Sequence, residues 1–352
     1  MEIDYLIIGQ GLAGSLLAWE LIQRQQKVII VDNNQENASL VAAGLINPVT
    51  GMRFVKSANV DQLLPSAINY YQRLSQVFQQ SFYIEKPMLR LLRNKKEIIA
   101  CQKRFQDPEY DNYLGEILAS HPDINSTLGV LKQKQTGYLL TKPLLTALKT
   151  YFISVNAYLE SEIHYAEITI NPTLKWKNIQ PKQIIFCEGH HATKNPWFSN
   201  LPFQPVKGEI ICATATQQIQ QSILNYGHWF IPLDNNQFRT GASFDRDNLD
   251  TVITAEAKET LVSSLKQVYP SVNIEHISKQ QAGVRPTTRD KMPFVGQHPK
   301  HSELYIFNGF GAKGSLQIPW HCQNLADHLL HNKAISASSN ILRYHSLFNL
   351  SA

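Results

Sequence analysis

The chain contains 352 residues, of which 43% are hydrophobic and 17% charged, values typical of a globular protein large enough for two domains. The formal net charge of +5 is too small to indicate a nucleic-acid or membrane partner by itself. No apolar stretch approaches the roughly 18 residues of a membrane span. The four cysteines are scattered without a C-x-x-C pair, so we expect a cytoplasmic protein with neither a disulfide framework nor a bound metal.

The N-terminal stretch predicts a nucleotide-binding βαβ unit. Glycines at positions 9, 11 and 14 follow an apolar run that is typical of a buried strand. Gly9 permits a tight turn, Gly11 lets the backbone approach a pyrophosphate, and Gly14 lets the next helix pack closely. We predict that helix over 15–24 and a second strand ending at Asp32, whose carboxylate can accept ribose hydroxyls. The glycines alone could form an ordinary turn, but this order of elements favours a dinucleotide, and the acid favours FAD or NAD over NADP.

Small residues follow the second strand. Ala42, Ala43 and Gly44 allow a ligand to approach the backbone, although a tight helix-to-loop junction has the same composition. Their position just after the dinucleotide unit favours a second cofactor-contacting loop. The downstream pattern predicts a helix over 61–79, a strand over 88–92, a charged helical insertion over 95–118 and a helix over 144–153 with Thr141 as its N-cap.

The middle of the chain changes from mixed to β-rich composition. Residues 157–169 are strand-like, and an apolar run over 183–189 predicts a further core strand with Gly189 at its carboxyl end, where ligands bind in open α/β sheets. From Phe203 onwards the alternation predicts strands over 207–211, 227–232 and 238–244, then an amphipathic helix over 254–269. We interpret this portion as a separate antiparallel sheet.

The last third returns to glycine-rich loops. A strand over 304–308 precedes the loop 309–314, and a helix is predicted from Ser315 to about residue 330. This order places a second helix N-terminus in the cofactor region. Residues from 334 onwards carry no chemistry that the sequence indicates.

Taken together, these stretches resemble the FAD-dependent D-amino-acid oxidase superfamily. Glycine and sarcosine oxidases belong to it, as does the oxidase half of the bifunctional enzyme that modifies tRNA wobble uridines. The resemblance covers nearly the whole chain and is carried by Gly9-x-Gly11-x-x-Gly14 with Asp32, Ala42-Ala43-Gly44, Gly189, Pro205-Val206-Lys207-Gly208-Glu209, Pro232, Gly241-Ala242-Ser243, Gly283-Val284-Arg285-Pro286 and Gly309-Phe310-Gly311-Ala312-Lys313-Gly314. The last two motifs are the most specific.

The resemblance implies a mixed α/β fold, in which a Rossmann-like FAD-binding domain is interleaved with an antiparallel-sheet substrate domain. We expect residues 1–80, 141–200 and 283–352 in the FAD-binding domain, and residues 81–140 and 201–282 in the substrate domain. Relatives with covalent flavin carry a cysteine directly after the arginine that corresponds to Arg285. This chain has Pro286 at that position, so non-covalent FAD is implied.

The resemblance also implies four residues at the catalytic site. Arg285 matches the arginine that clamps a substrate carboxylate, although it could instead pair with Asp290 or a backbone carbonyl. Trp229 and Phe244 match positions that line the substrate pocket, and both could be ordinary core aromatics. Lys313 could add positive charge beside the reduced flavin, or it could be a structural lysine.

Cofactor contacts are expected from the turns and loops of both halves of the chain. The predicted cofactor-binding residues are Gly9, Gly11, Leu12, Ala13, Gly14, Asp32, Asn33, Ala42, Ala43, Gly44, Leu45, Ile163, Cys187, Glu188, Gly189, Arg285, Gly309, Gly311, Ala312, Lys313, Gly314 and Ser315.

Three functions are compatible with these residues. The first is an FAD-dependent oxidoreductase that oxidises the C–N bond of a small amine or amino acid by hydride transfer to the flavin, with oxygen or another electron acceptor. The second is the same chemistry on a wobble-uridine side chain of tRNA, which the mild basic charge permits without supporting. The third is a flavin-binding protein that turns over no small molecule.

Overall fold

A computed structural model describes residues 1–35 and 37–348. The strands, in chain order, are β1 (Glu2–Ile8), β2 (Val28–Asp32), β3 (Leu45–Ile46), β4 (Val49–Thr50), β5 (Val55–Lys56), β6 (Tyr83–Glu85), β7 (Met88–Leu91), β8 (Leu114–Leu118), β9 (Val130–Gln133), β10 (Gly137–Leu139), β11 (Tyr158–Glu160), β12 (Ile168–Thr169), β13 (Lys175–Trp176), β14 (Gln180–Phe186), β15 (Val206–Ala215), β16 (Ile223–Asn225), β17 (Trp229–Pro232), β18 (Gln237–Gly241), β19 (Ile274–Arg285), β20 (Phe294–Gln297) and β21 (Leu304–Asn308). The α-helices are α1 (Leu12–Gln23), α2 (Ala38–Val41), α3 (Val60–Phe78), α4 (Lys95–Phe105), α5 (Thr141–Ser154), α6 (Ala255–Val268) and α7 (Gly314–His331).

A six-stranded sheet carries the N-terminal unit, with the strand order β11-β2-β1-β14-β21-β20. All of its neighbouring pairs are parallel except β20 with β21. Its central strands β1 and β14 are apolar and buried in their carboxyl-terminal halves, over 5–8 and 184–186, because both faces of the sheet are covered there. From β1 the chain proceeds to β2 on one side and to β14 on the other, which makes the carboxyl end of β1 a topological switch point. Ligands of open α/β sheets bind at such a point.

Three helices pack together behind this sheet. Helix α7 lies against both α1 and α3. Two fully buried tyrosines of α3 connect the other two helices: the Tyr70 hydroxyl donates to the Leu16 carbonyl at 2.8 Å, and the Tyr71 hydroxyl donates to the Ser315 carbonyl at 2.7 Å. These bonds fix the first turns of α1 and α7 relative to each other.

An eight-stranded sheet carries the β-rich portion, with the order β19-β15-β18-β17-β16-β7-β9-β8. Its pairs are antiparallel except β16 with β7. Leu261 and Leu265 of α6 pack with Phe230 and Phe238 on one face of the sheet. The predicted hairpin is confirmed, since β17 and β18 pair directly.

The mixed α/β class predicted from the sequence is confirmed, and the two sheets draw their strands alternately from separate stretches of the chain. The exact domain boundaries stay a prediction. Position 36 and residues 349–352, the latter at the end of the predicted FAD-binding domain, lie outside the described residues.

Two local expectations are wrong. The insertion over 95–118 is helical only as far as Phe105; a proline at 108 cannot continue the helix, and Leu114–Leu118 pairs with β9 as an edge strand. Thr141 is not an N-cap, because it is the first residue of α5 and its hydroxyl makes no capping bond there. None of the described helices is long and apolar enough to cross a membrane.

Candidate active site

A cavity of about 890 Å³ runs from the carboxyl ends of β1, β2 and β14 to the face of the eight-stranded sheet. This volume lies in the range of clefts that bury small ligands. Most of the predicted site residues line it: Gly9, Gly11, Leu12, Ala13, Asp32, Asn33, Ala42, Ala43, Gly44, Leu45, Ile163, Cys187, Glu188, Gly189, Trp229, Phe244, Arg285, Gly311, Ala312, Gly314 and Ser315. Gly14, Gly309 and Lys313 are not part of the wall. The roles of the lining residues remain predictions.

The turn between β1 and α1 has room for backbone only. A Cβ atom on Gly14 would lie 1.9 Å from the Gly9 carbonyl oxygen, so this glycine lets α1 begin against the strand. Gly9 has a φ of +104°, and a Cβ there would meet the Cys187 carbonyl at 2.6 Å. Helix α1 has no acidic residue in its first turn, so its positive end can attract a phosphate.

Asp32 ends β2 at the cavity wall. Its Oδ2 accepts the Gln10 N–H at 2.8 Å, and its Oδ1 accepts the Asn34 N–H at 2.8 Å. These two bonds fix the orientation of the carboxylate and leave each oxygen a further lone pair for a ligand hydroxyl. The position is the one that an adenosine ribose requires in a dinucleotide-binding unit.

Arg239, which the sequence analysis did not identify, holds the loop over 42–44 from the opposite sheet. Its Nη2 donates to the Val41 carbonyl at 2.9 Å and to the Ala42 carbonyl at 2.8 Å. Burial lowers the pKa of this guanidinium, and no carboxylate among the described residues opposes that effect. Gly44 completes the loop with a φ of +72°, where a Cβ would lie 2.1 Å from the Leu139 carbonyl.

Glu188, which is half-buried, brings a carboxyl group to the same wall. The Tyr165 hydroxyl donates to it at 2.7 Å and the Asn195 amide at 2.8 Å. Burial raises the pKa of Glu188 to about 7, and the two hydrogen bonds oppose the rise. The sequence pattern identified neither Tyr165 nor Asn195.

The loop over 309–314 brings the N-terminus of α7 to the cavity. The Asn308 amide donates to the Gly189 carbonyl at 2.9 Å and so joins the ends of β21 and β14. Helix α7, like α1, has no acidic residue in its first turn. Lys313 faces away from the cavity wall, since its Nζ donates to the Ser57 hydroxyl at 3.0 Å, and burial lowers its pKa. The structure therefore does not place Lys313 with the other predicted catalytic residues.

Arg285, the last residue of β19, reaches the other end of the cavity. Its Nη2 donates to the carbonyls of Lys207 at 3.1 Å and Ser243 at 2.9 Å. Of the two alternative partners, backbone carbonyls do bind Arg285, whereas Asp290 bonds instead to Arg343 at 2.8 Å. No acidic side chain among the described residues pairs with Arg285, and burial lowers its pKa. A Cβ on Gly208 would lie 2.4 Å from Nη2, so this glycine gives the guanidinium its place.

The bonds of Arg285 bear on how it can hold a ligand. Both edges of a guanidinium that offer two parallel N–H groups include Nη2. Because Nη2 already donates to two carbonyls, Nη1 and Nε remain for an anion in this state. A two-pronged grip requires that one carbonyl be released.

Two aromatic side chains and one histidine complete this end. Trp229 is half-buried, and Phe244 is 64% exposed with its ring 5.9 Å from the Arg285 guanidinium. Phe244 is therefore not a core residue. His228 also lines the cavity, with its Nδ1 3.1 Å from the Ala242 carbonyl oxygen. Sequence reasoning missed His228, although it directly precedes Trp229.

These residues fit a bound FAD. The glycine turn that a Cβ would fill, the two helix N-termini without acidic residues and the oriented Asp32 carboxylate supply sites for a pyrophosphate and a ribose. The chain would hold the adenosine half at β1 and β2 and the flavin half beside the loops over 42–44 and 309–314.

Comparison with known proteins gives the same assignment. The chain is 22% identical over 361 residues to the tRNA 5-methylaminomethyl-2-thiouridine biosynthesis bifunctional protein MnmC of Marinobacter nauticus. The aligned region covers 94% of this chain but only 56% of that protein. It is 21% identical to the glycine oxidase of Pseudomonas aeruginosa, over 93% of this chain and 94% of the relative. The chain thus spans about half the length of the bifunctional relative.

The fold is similar to that of the glycine oxidase from Geobacillus kaustophilus, with a TM-score of 0.82 and 19% identity over 95% of this chain and 96% of that one. The profile of the FAD dependent oxidoreductase family, abbreviated DAO, matches residues 4–328, from the first strand through most of the last helix. This chain is a member of the FAD dependent oxidoreductase family.

Proposed function

We propose that this protein oxidises the C–N bond of a small amino acid or a related carboxylate-bearing amine. The observation that carries the proposal is Arg285, a cation in the cavity wall without an acidic partner among the described residues. A half-buried guanidinium with free N–H groups is suited to a carboxylate. The glycine oxidase of Pseudomonas aeruginosa, which matches nearly the full chain, is named for such a substrate.

The residues of this chain supply binding, orientation and charge. Arg285 holds the carboxylate and thereby fixes the neighbouring carbon, while Trp229 and Phe244 form the walls that reduce its freedom. The N-terminus of α7 places a positive dipole end beside the flavin half of the cavity, where negative charge develops. When bound, FAD supplies the hydride acceptor and passes the electrons on to oxygen or another acceptor.

The cofactor is expected to be held without a covalent bond. Pro286 follows Arg285 in the wall, and the cysteine in the wall, Cys187, is packed against Gly14 with a burial-raised pKa that disfavours the reactive thiolate. Acid precipitation of the purified yellow protein should therefore leave FAD in the supernatant. Flavin absorbance that stays with the precipitated chain contradicts this expectation.

All four cysteines are free thiols, which supports a reducing, cytoplasmic location.

The experiment that tests the function is a screen for flavin reduction without oxygen. Amino acids, N-alkyl amino acids and the corresponding amines without a carboxylate are mixed with the holoprotein, and the loss of flavin absorbance is followed. We expect bleaching by one or more carboxylate-bearing amines and slower or no bleaching by the matched amines. If amines without a carboxylate bleach the flavin equally well, the assignment to Arg285 is wrong.

A second candidate follows from the cavity mouth. Phe244 is exposed there, and the guanidinium groups of Arg246 and Arg285 lie 5.4 Å and 5.9 Å from its ring. Such an aromatic surface can stack on a base of single-stranded RNA. The match to the bifunctional tRNA-modifying relative covers 94% of this chain. A flavin that no free amino acid reduces, in a protein that binds tRNA with salt-dependent affinity, would favour this candidate.

A further inference from the structure

Two titratable side chains lie in the substrate end of the cavity, which we define as the wall formed by residues 208–286. They are His228 and Arg285. The other titratable residues of the described wall belong to the segments 31–37, 161–165 and 187–194, at the carboxyl ends of β2, β11 and β14. Arg285 cannot accept a proton, so His228 is the one group of the substrate end that can.

The hydrogen bond of His228 fixes its tautomer. Its Nδ1 lies 3.1 Å from the Ala242 carbonyl oxygen, which can only accept a hydrogen bond. Nδ1 therefore carries the hydrogen, and in the neutral ring the lone pair is on Nε2. The Tyr226 ring, 5.9 Å away, does not compete for that lone pair, because its hydroxyl is bonded to Thr240 at 2.9 Å.

Neighbouring carbonyls of one segment hold the two functional groups. The Ala242 carbonyl accepts from His228, and the next carbonyl, that of Ser243, accepts from Arg285. A base and a cation are thus fixed on a common stretch of backbone at the end of β18. An α-amino acid carries a proton-bearing nitrogen and a carboxylate, and His228 and Arg285, which line the same end of the cavity, offer a partner for each of these two groups.

We propose that His228 is a catalytic residue that accepts the proton of the substrate ammonium group through Nε2. The N–H bond of the ammonium breaks, its electron pair stays on nitrogen, and the proton forms an N–H bond at Nε2. The result is a neutral amine and an imidazolium, with no change of oxidation state. This step rests on the proposed function, since it prepares the amine whose neighbouring carbon then loses a hydride.

Two arginines lie beside the backbone around His228. Arg93 would place Nη1 2.7 Å from a Cβ on Gly227, which precedes His228, and Arg285 bonds to Ser243, which follows Ala242. Glu97 pairs with Arg93 at 2.7 Å, and a bound carboxylate would offset Arg285. The bond from Nδ1–H to the Ala242 carbonyl becomes charge-assisted in the imidazolium and so strengthens.

The first test is the pH dependence of flavin reduction in His228→Asn. Asparagine can keep a donor towards the Ala242 carbonyl but is not a base. At neutral pH the variant should lose roughly 100-fold or more in the reduction rate at low substrate, the usual contribution of a positioned base. Its rate should rise with pH until the free amine itself titrates, whereas the wild-type rate reaches its plateau at lower pH. His276→Asn, an exposed histidine of the same sheet outside the wall, is the matched control.

The second test needs no turnover. A non-oxidisable amino acid with two substituents and no hydrogen on its α-carbon is added to protein with ¹⁵N-labelled histidine. One imidazole should become protonated on binding in the wild type and none in His228→Asn, while both proteins keep their FAD. Equal pH profiles, or no new imidazolium in the wild type, overturn the proposal and leave the oxidoreductase function standing. If no amine reduces the wild-type flavin and no imidazole responds, the proposed function itself fails.

Discussion

Replacement of Arg285 by alanine is expected to lower kcat/KM for a carboxylate-bearing amine by roughly 30- to 5,000-fold, with little change in FAD content. The range corresponds to the loss of about 2–5 kcal/mol when one partner of a desolvated charge pair is removed. FAD content should persist because the residues expected to hold the adenosine half belong to the turns after β1 and β2. The measurement is the rate of anaerobic flavin reduction against substrate concentration.

Arg285→Lys separates charge from geometry. Lysine keeps the positive charge, but its ammonium lacks the planar fork of a guanidinium, and bonds to the Lys207 and Ser243 carbonyls would leave one of its three N–H groups for a substrate. We expect its activity to lie between those of the wild type and the alanine variant. Arg246→Ala is the matched control, because Arg246 also contacts the Phe244 ring but lies outside the cavity wall.

The opposite result has a definite meaning. If Arg285→Ala reduces its flavin as fast as the wild type at low substrate while carrying full FAD, Arg285 is a structural residue. Its bonds to two backbone carbonyls would then be its whole role, and the substrate would be an amine without a carboxylate beside the reacting carbon.

Local spacing explains what the sequence could predict. Gly9, Gly14 and Asp32 lie within one βαβ unit, so the turn, the helix start and the position of the acid follow from neighbouring residues. The same holds for the hairpin of β17 and β18, whose short turn brings adjacent strands together.

Long-range contacts explain what it could not predict. Arg239 lies almost 200 residues beyond the loop that it holds, and nothing in its own strand indicates that contact. The tautomer of His228 is defined by a carbonyl 14 residues away, directly after the next strand. Leu114–Leu118 becomes a strand only because β9 offers it an edge. Lys313 was expected beside the flavin from its place in a motif, but the start of α7 directs its side chain to Ser57.

Alanine at Gly11 and at Gly14 should separate the two roles of the glycine turn. A Cβ on Gly14 would lie 1.9 Å from a backbone oxygen, so α1 must move away from β1. We expect a cost of about 3 kcal/mol or more, and a Tm of the cofactor-free protein lower by roughly 6–12 °C. The backbone of Gly11 has an ordinary φ of −72°, and a Cβ there would meet only the Ser39 hydroxyl, at 3.3 Å. The fold should therefore tolerate alanine at this position.

In Gly11→Ala we expect a weaker affinity for FAD, although the fold itself is little affected. The added methyl group lies in the cavity wall, where the backbone is expected to approach a pyrophosphate. Loss of one charge-assisted bond there costs about 1.5–3 kcal/mol, which is roughly a 10- to 150-fold weaker FAD affinity. Fluorescence titration of the apoprotein with FAD measures the affinity, and thermal melting without FAD measures the fold. A Gly11→Ala protein with wild-type affinity would place the pyrophosphate elsewhere, and a Gly14→Ala protein with wild-type Tm would show that α1 can shift without cost.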